Sequence, residues 1–208
     1  RGFMGVGAPQ ARLLLVSLLD PARGLFAYAP FLALGVPGLV PLWRRDRAAA
    51  GLSAAMLALY GWFTAGFTLE AWGWSVGPRH LTPLCAFLVP PALALAAGLR
   101  ARGLGFLAAG LAAHSIAAMA LLCAVCPYLP DDLTNPIAQL VLPLAGAGRR
   151  VADVLGIATG VQSGWTLVPW LAEVGLLAAA AVVALAGGTP PRARVAQTAG
   201  AALPAAAL

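Results

Sequence analysis

Residues 48–99 read AAAGLSAAMLALYGWFTAGFTLEAWGWSVGPRHLTPLCAFLVPPALALAAGL. Two apolar runs, each close to the roughly 20 residues that carry a helix across the hydrocarbon core, enclose a polar and aromatic island at 70–84, EAWGWSVGPRHLTPL. The alternation of long apolar runs with short polar breaks predicts membrane helices joined by turns. Extending the pattern outward gives about five spans, Leu25–Trp43, Ala48–Thr68, Leu81–Leu99, Gly103–Cys126 and Val168–Gly187. The expected fold is therefore an all-α, polytopic transmembrane bundle occupying residues 1–187.

Composition agrees with that reading. Hydrophobic residues make up 61% of the chain, charged residues only 10%, and the mean hydropathy is +0.87, whereas soluble domains are roughly one-quarter charged. The net charge of +6 arises from 13 arginines and no lysine against seven acids. No basic stripe interleaved with aromatics accompanies it, so the excess reads as a topology signal and not as a nucleic-acid site. Arginine without lysine, beside abundant Ala and Gly, suggests a GC-rich and bacterial source. The opening RGFMGVGAPQ carries neither an initiator Met nor the charged and apolar regions of a signal peptide, and is expected to be an internal start.

The arginines orient the spans. Arg44, Arg45 and Arg47 follow the first run, Arg100 and Arg102 the third, and Arg192 and Arg194 the fifth, which assigns those alternate connections to the cytoplasm. The remaining six arginines fall in longer stretches, so the 70–80 island is expected to face outward, at a bacterial plasma membrane. Short interfacial helices are expected on that outer side. Pro9–Asp20 is Leu-rich but too short to span, and Asn135–Leu155 mixes apolar residues with Gln139, Arg149, Arg150 and Asp153 around Gly146 and Gly148. Pro30, Pro37 and Pro41 should kink the first span, and Pro90-Pro91 the third. The Ala, Pro and Arg-rich tail at 188–208 reads as a disordered cytoplasmic tail.

Candidate chemistry concentrates in the island. Arg79 can pair with a phosphate bidentately, Glu70 can orient that arginine or take a sugar hydroxyl, and His80 can donate a hydrogen bond. Trp72 and Trp74 can stack on a sugar face; equally, Glu70 and Arg79 can pair with each other while the two tryptophans form an interfacial belt. Arg23 and Tyr28 in DPARGLFAYAP repeat the theme at the mouth of the first span, as a phosphate cradle or as a snorkelling cation beside an interfacial phenol.

Other polar features read as structural. The G-x-S-x-G match around Ser75 lacks the strand, helix and partner residues of a nucleophile elbow. Cys123 and Cys126 form a C-x-x-C with no second ligand pair, so no metal site is expected and either a disulfide or two small apolar side chains remain. His114 is expected to act as a helix-packing hydrogen-bond donor. Asp131, Asp132 and Asn135 are expected to form a turn and a helix cap before Pro136.

Two segments, LLLVSLLDPARGLFAYAPFLALGVPGL at 13–39 and WGWSVGPRHLTPLCAFLVP at 72–90, resemble the family 39-like membrane glycosyltransferases of the GT-C superfamily, which includes protein O-mannosyltransferases and bacterial lipid-linked sugar transferases. The first is similar to a P-x-R-G-L-x-x-Y-x-P entry to a late helix, the second to a W-G-x-x-x-G-P-R-[YF]-L-x-P loop, and TNPIAQLVLPLAGAG at 134–148 to the outer loop that follows. The resemblance implies transfer of a sugar from a polyprenyl-phosphate donor at the extracytoplasmic face, with inversion and without a nucleotide or other cofactor. It implies Arg79, His80, Glu70, Trp72, Trp74, Arg23 and Tyr28 as substrate contacts. The family's catalytic Asp sits in a first outer loop that nothing here matches, so this chain corresponds to the C-terminal portion and is expected to be inactive alone. His80 departs from the aromatic residue common after the arginine.

Two further readings use the same residues. In a transporter or lipid flippase, Arg79 and Glu70 would line a path, and polar residues should recur deep in several helices; Glu173 instead lies near the outer end of the fifth span. A non-catalytic membrane subunit would use the Ala and Gly content for helix packing alone.

Overall fold

The computed structural model describes residues 7–67, 79–126, 130, 132–148, 154–160 and 168–186. Among them the secondary structure is helical. Ala11–Leu19 forms α1, and three short helices follow in succession, α2 (Leu25–Tyr28), α3 (Pro30–Ala33) and α4 (Gly35–Arg45). The long helices are α5 (Arg47–Ala65), α6 (Thr82–Ala101), α7 (Gly105–Val125) and α10 (Val168–Ala186), with α8 (Leu142–Gly146) and α9 (Val154–Thr159) between the last two. A 3₁₀ turn at Arg79–Leu81 leads into α6, and a π-helical turn at Ile137–Val141 leads into α8.

Four helices, α5, α6, α7 and α10, are long and apolar enough to cross a membrane. Their bounds fall within a few residues of the expected spans. The first expected span, Leu25–Trp43, differs, because it is divided into α2, α3 and α4. Its breaks sit at Ala29, with φ −130° and ψ 65° before Pro30, and at Leu34 before Gly35. Proline supplies the physical reason: Pro30 is well placed at the start of α3 but offers no N–H to continue α2. Pro90 and Pro91, by contrast, are accommodated inside α6.

The outer surface is that of a membrane protein. Leu59, Trp62, Leu176 and Val183 are each at least 60% exposed, an arrangement that lipid accepts and water does not. Trp43 stands exposed beside the arginines at one end of the bundle and Trp62 near the other, matching two interfacial belts.

Parallel packing of α4 on α6 forms the centre. A Cβ placed on Gly35 would lie 2.7 Å from the Leu88 carbonyl oxygen, and one on Gly38 would collide with the Pro91 carbonyl, so the two backbones touch where glycine alone fits. Further along, Leu42, Ala50 and Ala94 close the junction of α4, α5 and α6. The α4–α5 turn carries Arg44, Arg45 and Arg47, and Asp46 caps α5 by accepting the Ala49 N–H at 3.0 Å. Because α4 and α6 run in parallel, this turn and the Arg100–Arg102 turn lie at the same end. The 3₁₀ turn at 79–81 lies at the opposite end.

α7 returns antiparallel to α6, and α10 antiparallel to α7. The Arg100 guanidinium donates to the Ala184 carbonyl at 2.9 Å, tying the end of α10 to the α6–α7 turn. Higher up, the Ser115 hydroxyl of α7 accepts the Phe31 N–H at 3.1 Å while donating to the Leu111 carbonyl at 2.8 Å. It thereby satisfies a donor left open at the start of α3. His114, expected to provide a packing hydrogen bond, is instead exposed, and its neighbour Ser115 provides it. The side chain one position on is the one turned toward α3.

Asn135 behaves as expected, its Oδ1 accepting the Ala138 N–H at 3.2 Å, while Gln139 Oε1 reaches back to the N–H groups of Thr134 and Asn135. Gly146 ends α8, and α9 is separate, so Asn135–Leu155 is not one continuous helix. Pro9–Asp20 contains α1 as expected. Arg149, Arg150, Asp153 and Asp131, together with the 188–208 tail, lie outside the described residues.

Gly38→Ala should destabilise the protein by about 1–3 kcal/mol or more, because the new methyl meets backbone rather than a movable side chain. Gly98→Ala, where a Cβ would meet nothing within 4 Å, should be neutral or stabilising in the same detergent-unfolding measurement. Ser115→Ala should cost about 1 kcal/mol by removing the acceptor of the half-buried Phe31 N–H.

Candidate functional site

Two turns lie at the end of the bundle opposite the arginine turns. One is Asp20–Gly24, between α1 and α2; the other is Arg79–Leu81, before α6. Leu81 is fully buried in a cluster with Leu32, Leu84 and Leu88, and Leu25 and Phe26 pack against that same cluster. The two sequence motifs are therefore seated on one apolar base.

The first motif is a closed turn. Asp20 ends α1, and its carbonyl accepts the N–H groups of Arg23 at 3.2 Å and Gly24 at 2.6 Å. A Cβ on Gly24 would sit 2.7 Å from that same carbonyl oxygen, which accounts for glycine at this position. Tyr28, 3% exposed, donates its phenolic hydrogen to the Ala22 carbonyl at 2.6 Å and holds the turn from below. Leu122 of α7 and Val141 of the π turn complete the cluster around the Tyr28 ring. Pro30 then starts α3. Each fixed letter of the Arg-Gly-Leu and Tyr-x-Pro pattern thus has a local structural reason apart from Arg23, which is 8% exposed. Such a buried cation demands compensation by neighbouring groups. The hydroxyl of Tyr28 is engaged within the turn, so its first role here is to position Arg23 and Gly24.

In the second motif, Arg79 is the first residue of the 3₁₀ turn and His80 the second. The His80 ring lies against Phe67 with centroids 4.5 Å apart and meets Phe63 edge-on at 6.4 Å. Its Nε2 is buried without a hydrogen-bond partner among the described residues. Thr64, one turn before Phe67 and 1% exposed, has a hydroxyl in the same condition. Nothing in the sequence marked Thr64, since a lone Thr near a helix end is ordinary. Unsatisfied buried polar atoms are few in native proteins, and the His80 nitrogen can take a hydrogen-bonding group.

Glu70, Trp72, Trp74 and Ser75 lie outside the described residues. Among the described residues, no disulfide forms between Cys123 and Cys126, and no group of three His, Cys, Asp or Glu side chains could hold a metal ion. Asp132 stands exposed in a turn and Glu173 is exposed on α10.

The arrangement offers a cationic turn, an imidazole on an aromatic base and a buried hydroxyl at one end of an apolar bundle. It suits an anionic or hydroxyl-bearing group held at a membrane surface. Tyr28→Phe should destabilise the chain by about 1 kcal/mol through loss of the Ala22 hydrogen bond, and Gly24→Ala should be the more damaging change, both measured by thermal unfolding in detergent. Comparison with family models, curated proteins and solved structures finds no match to this chain.

Proposed function

We propose that this chain is the membrane part of a glycosyltransferase that moves a sugar from a polyprenyl-phosphate donor to an acceptor at the extracytoplasmic face. The observation that supports it is the seating of the Arg23–Gly24 turn and the Arg79–Leu81 turn on one apolar cluster, at the end opposite the arginine-bearing connections. Under the positive-inside rule those connections are cytoplasmic, which puts both turns outside, on the side of a membrane where lipid-linked sugars replace nucleotide sugars as donors.

In this reading Arg79 neutralises the phosphate leaving group as charge develops on it, and Arg23 adds to the positive potential at the same end. His80 takes a sugar or acceptor hydroxyl at its unpartnered Nε2, while Glu70 orients Arg79 and Trp72 and Trp74 stack on the sugar or the lipid neck. The general base is supplied from outside this chain, which alone is inactive. A transport path fits less well: the buried polar residues described, Ser17, Arg23, Ser53 and Thr64, are few and leave most of the bundle interior apolar.

Arg79→Ala in the intact enzyme should abolish transfer from a polyprenyl-phosphate sugar in proteoliposomes while insertion and thermal unfolding stay unchanged. Wild-type turnover in that variant would remove the basis of the assignment. Translocation of lipid or solute without transfer would favour the transporter, and neither activity would favour a packing subunit.

A further inference from the structure

Arginines gather without partners at one end of the bundle. Arg44 and Arg45 close α4, Arg47 opens α5 and Arg102 caps α6; all four are exposed, and none makes a hydrogen bond or ion pair among the described residues. Asp46 is the one carboxylate described at this end, and its Oδ1 is taken by the Ala49 N–H at 3.0 Å. Like charges held together without counter-charge raise the local potential and draw anions to it.

Parallel packing of α4 on α6 brings the two basic turns side by side. Leu42 and Ala94 share one cluster, Arg45 follows the first by three residues and Arg100 the second by six, so at 1.5 Å per residue the two turns differ in level by only about 5 Å. The helices touch through glycine, which sets their axes at the close end of the roughly 8–10 Å range, and arginine side chains from both sides span that separation. Trp43 adds an apolar surface next to them. A Cβ on Gly51 of α5 would come within 3.8 Å of its Cζ3, yet 52% of Trp43 remains exposed. An indole seated partly on the protein beside a row of cations suits the headgroup layer, with charge above and acyl chains below.

We infer that the Arg44–Arg47 turn together with Arg102 is a binding site for an anionic phospholipid, whose phosphate is held between the two turns and whose glycerol and upper acyl chains lie against Trp43. Charge selects the headgroup: five arginines, Arg100 included, stand against one carboxylate at this end, which favours an anionic lipid over a zwitterionic one. Guanidinium groups pair with phosphate oxygens bidentately, which a diffuse surface charge does not. Trp43 selects a lipid over a soluble anion, because only an amphiphile uses the arginines and the exposed indole at once. The site is independent of the sugar-transfer reading and lies at the end of the bundle opposite Arg79.

Native mass spectrometry tests the site in detergent, where insertion and topology play no part. The full chain, offered equal phosphatidylglycerol and phosphatidylcholine with the same acyl chains, should retain the former preferentially. Arg44→Gln with Arg45→Gln should lower that preference about tenfold, in keeping with the attraction of two surface arginines for an anionic headgroup. Arg12→Gln, equally exposed but on α1 near the other end, should leave it unchanged. Asp46→Asn keeps a helix-capping side chain and removes the one negative charge, so it should strengthen retention several-fold, a gain that misfolding cannot produce. Trp43→Ala should weaken it, and glycerol phosphate at the same concentration should not displace the lipid. Thermal unfolding of each variant should match wild type. Equal retention of both lipids, an undiminished preference in the double arginine variant, no gain in Asp46→Asn, or displacement by glycerol phosphate would each overturn the inference.

Discussion

The backbone contact between α4 and α6 is the constraint around which the other helices are arranged. At Gly35 and Gly38 no side chain separates the two helices, and the Leu88 and Pro91 carbonyls fill the space where a methyl group would stand. In lipid, association gains little from hydrophobicity, because the tails are as apolar as the helices they replace, so close packing carries the burden. Once α4 lies parallel to α6 at this distance, α5 can reach both only through a tight turn, which Asp46 caps. The two arginine-bearing turns then necessarily share one end of the bundle and the two candidate-site turns the other.

Backbone polarity imposes the second condition. A helix broken by proline inside a membrane exposes groups that water cannot satisfy, and this fold answers with side chains drawn from elsewhere. Ser115 serves the start of α3 from a helix 84 residues away, while Asp46, Asn135 and Gln139 do so locally at other helix ends. Tyr28 belongs to the same class of solution, since its hydroxyl is bound to a carbonyl in the turn below which it sits. The candidate site shows the opposite condition, with His80 Nε2 and Thr64 Oγ1 left unpaired.

Much of the architecture was legible as hydropathy. Runs of apolar residues set the four long helices to within a few positions, and the arginine pattern agreed with the end-to-end segregation of the turns. What hydropathy could not distinguish was which prolines break a helix. Pro90 and Pro91 continue α6, whereas Pro30 separates α2 from α3, where the next N–H, that of Phe31, is taken by Ser115 across the bundle. The same limit explains the exchange of roles between His114 and Ser115, since rotation of α7 by one residue decides which side chain meets α3. In the site, Arg23, Tyr28 and His80 stood out as polar residues against an apolar background. Thr64 did not, because its significance lies in having no partner, a property of packing and not of residue type.

Arg100 gives one residue two duties. As a member of a basic turn it helps determine which way the neighbouring helices insert, and through its bond to the Ala184 carbonyl it also fastens the far end of α10. That helix has no fully buried residue of its own, and the tether adds to its antiparallel packing on α7, where Gly105 lies against the Leu185 carbonyl. Insertion and assembly consequently share a residue: the charge that is read when the chain enters the bilayer also forms one of the attachments of its last helix, and a substitution erasing the topological signal would remove that attachment as well.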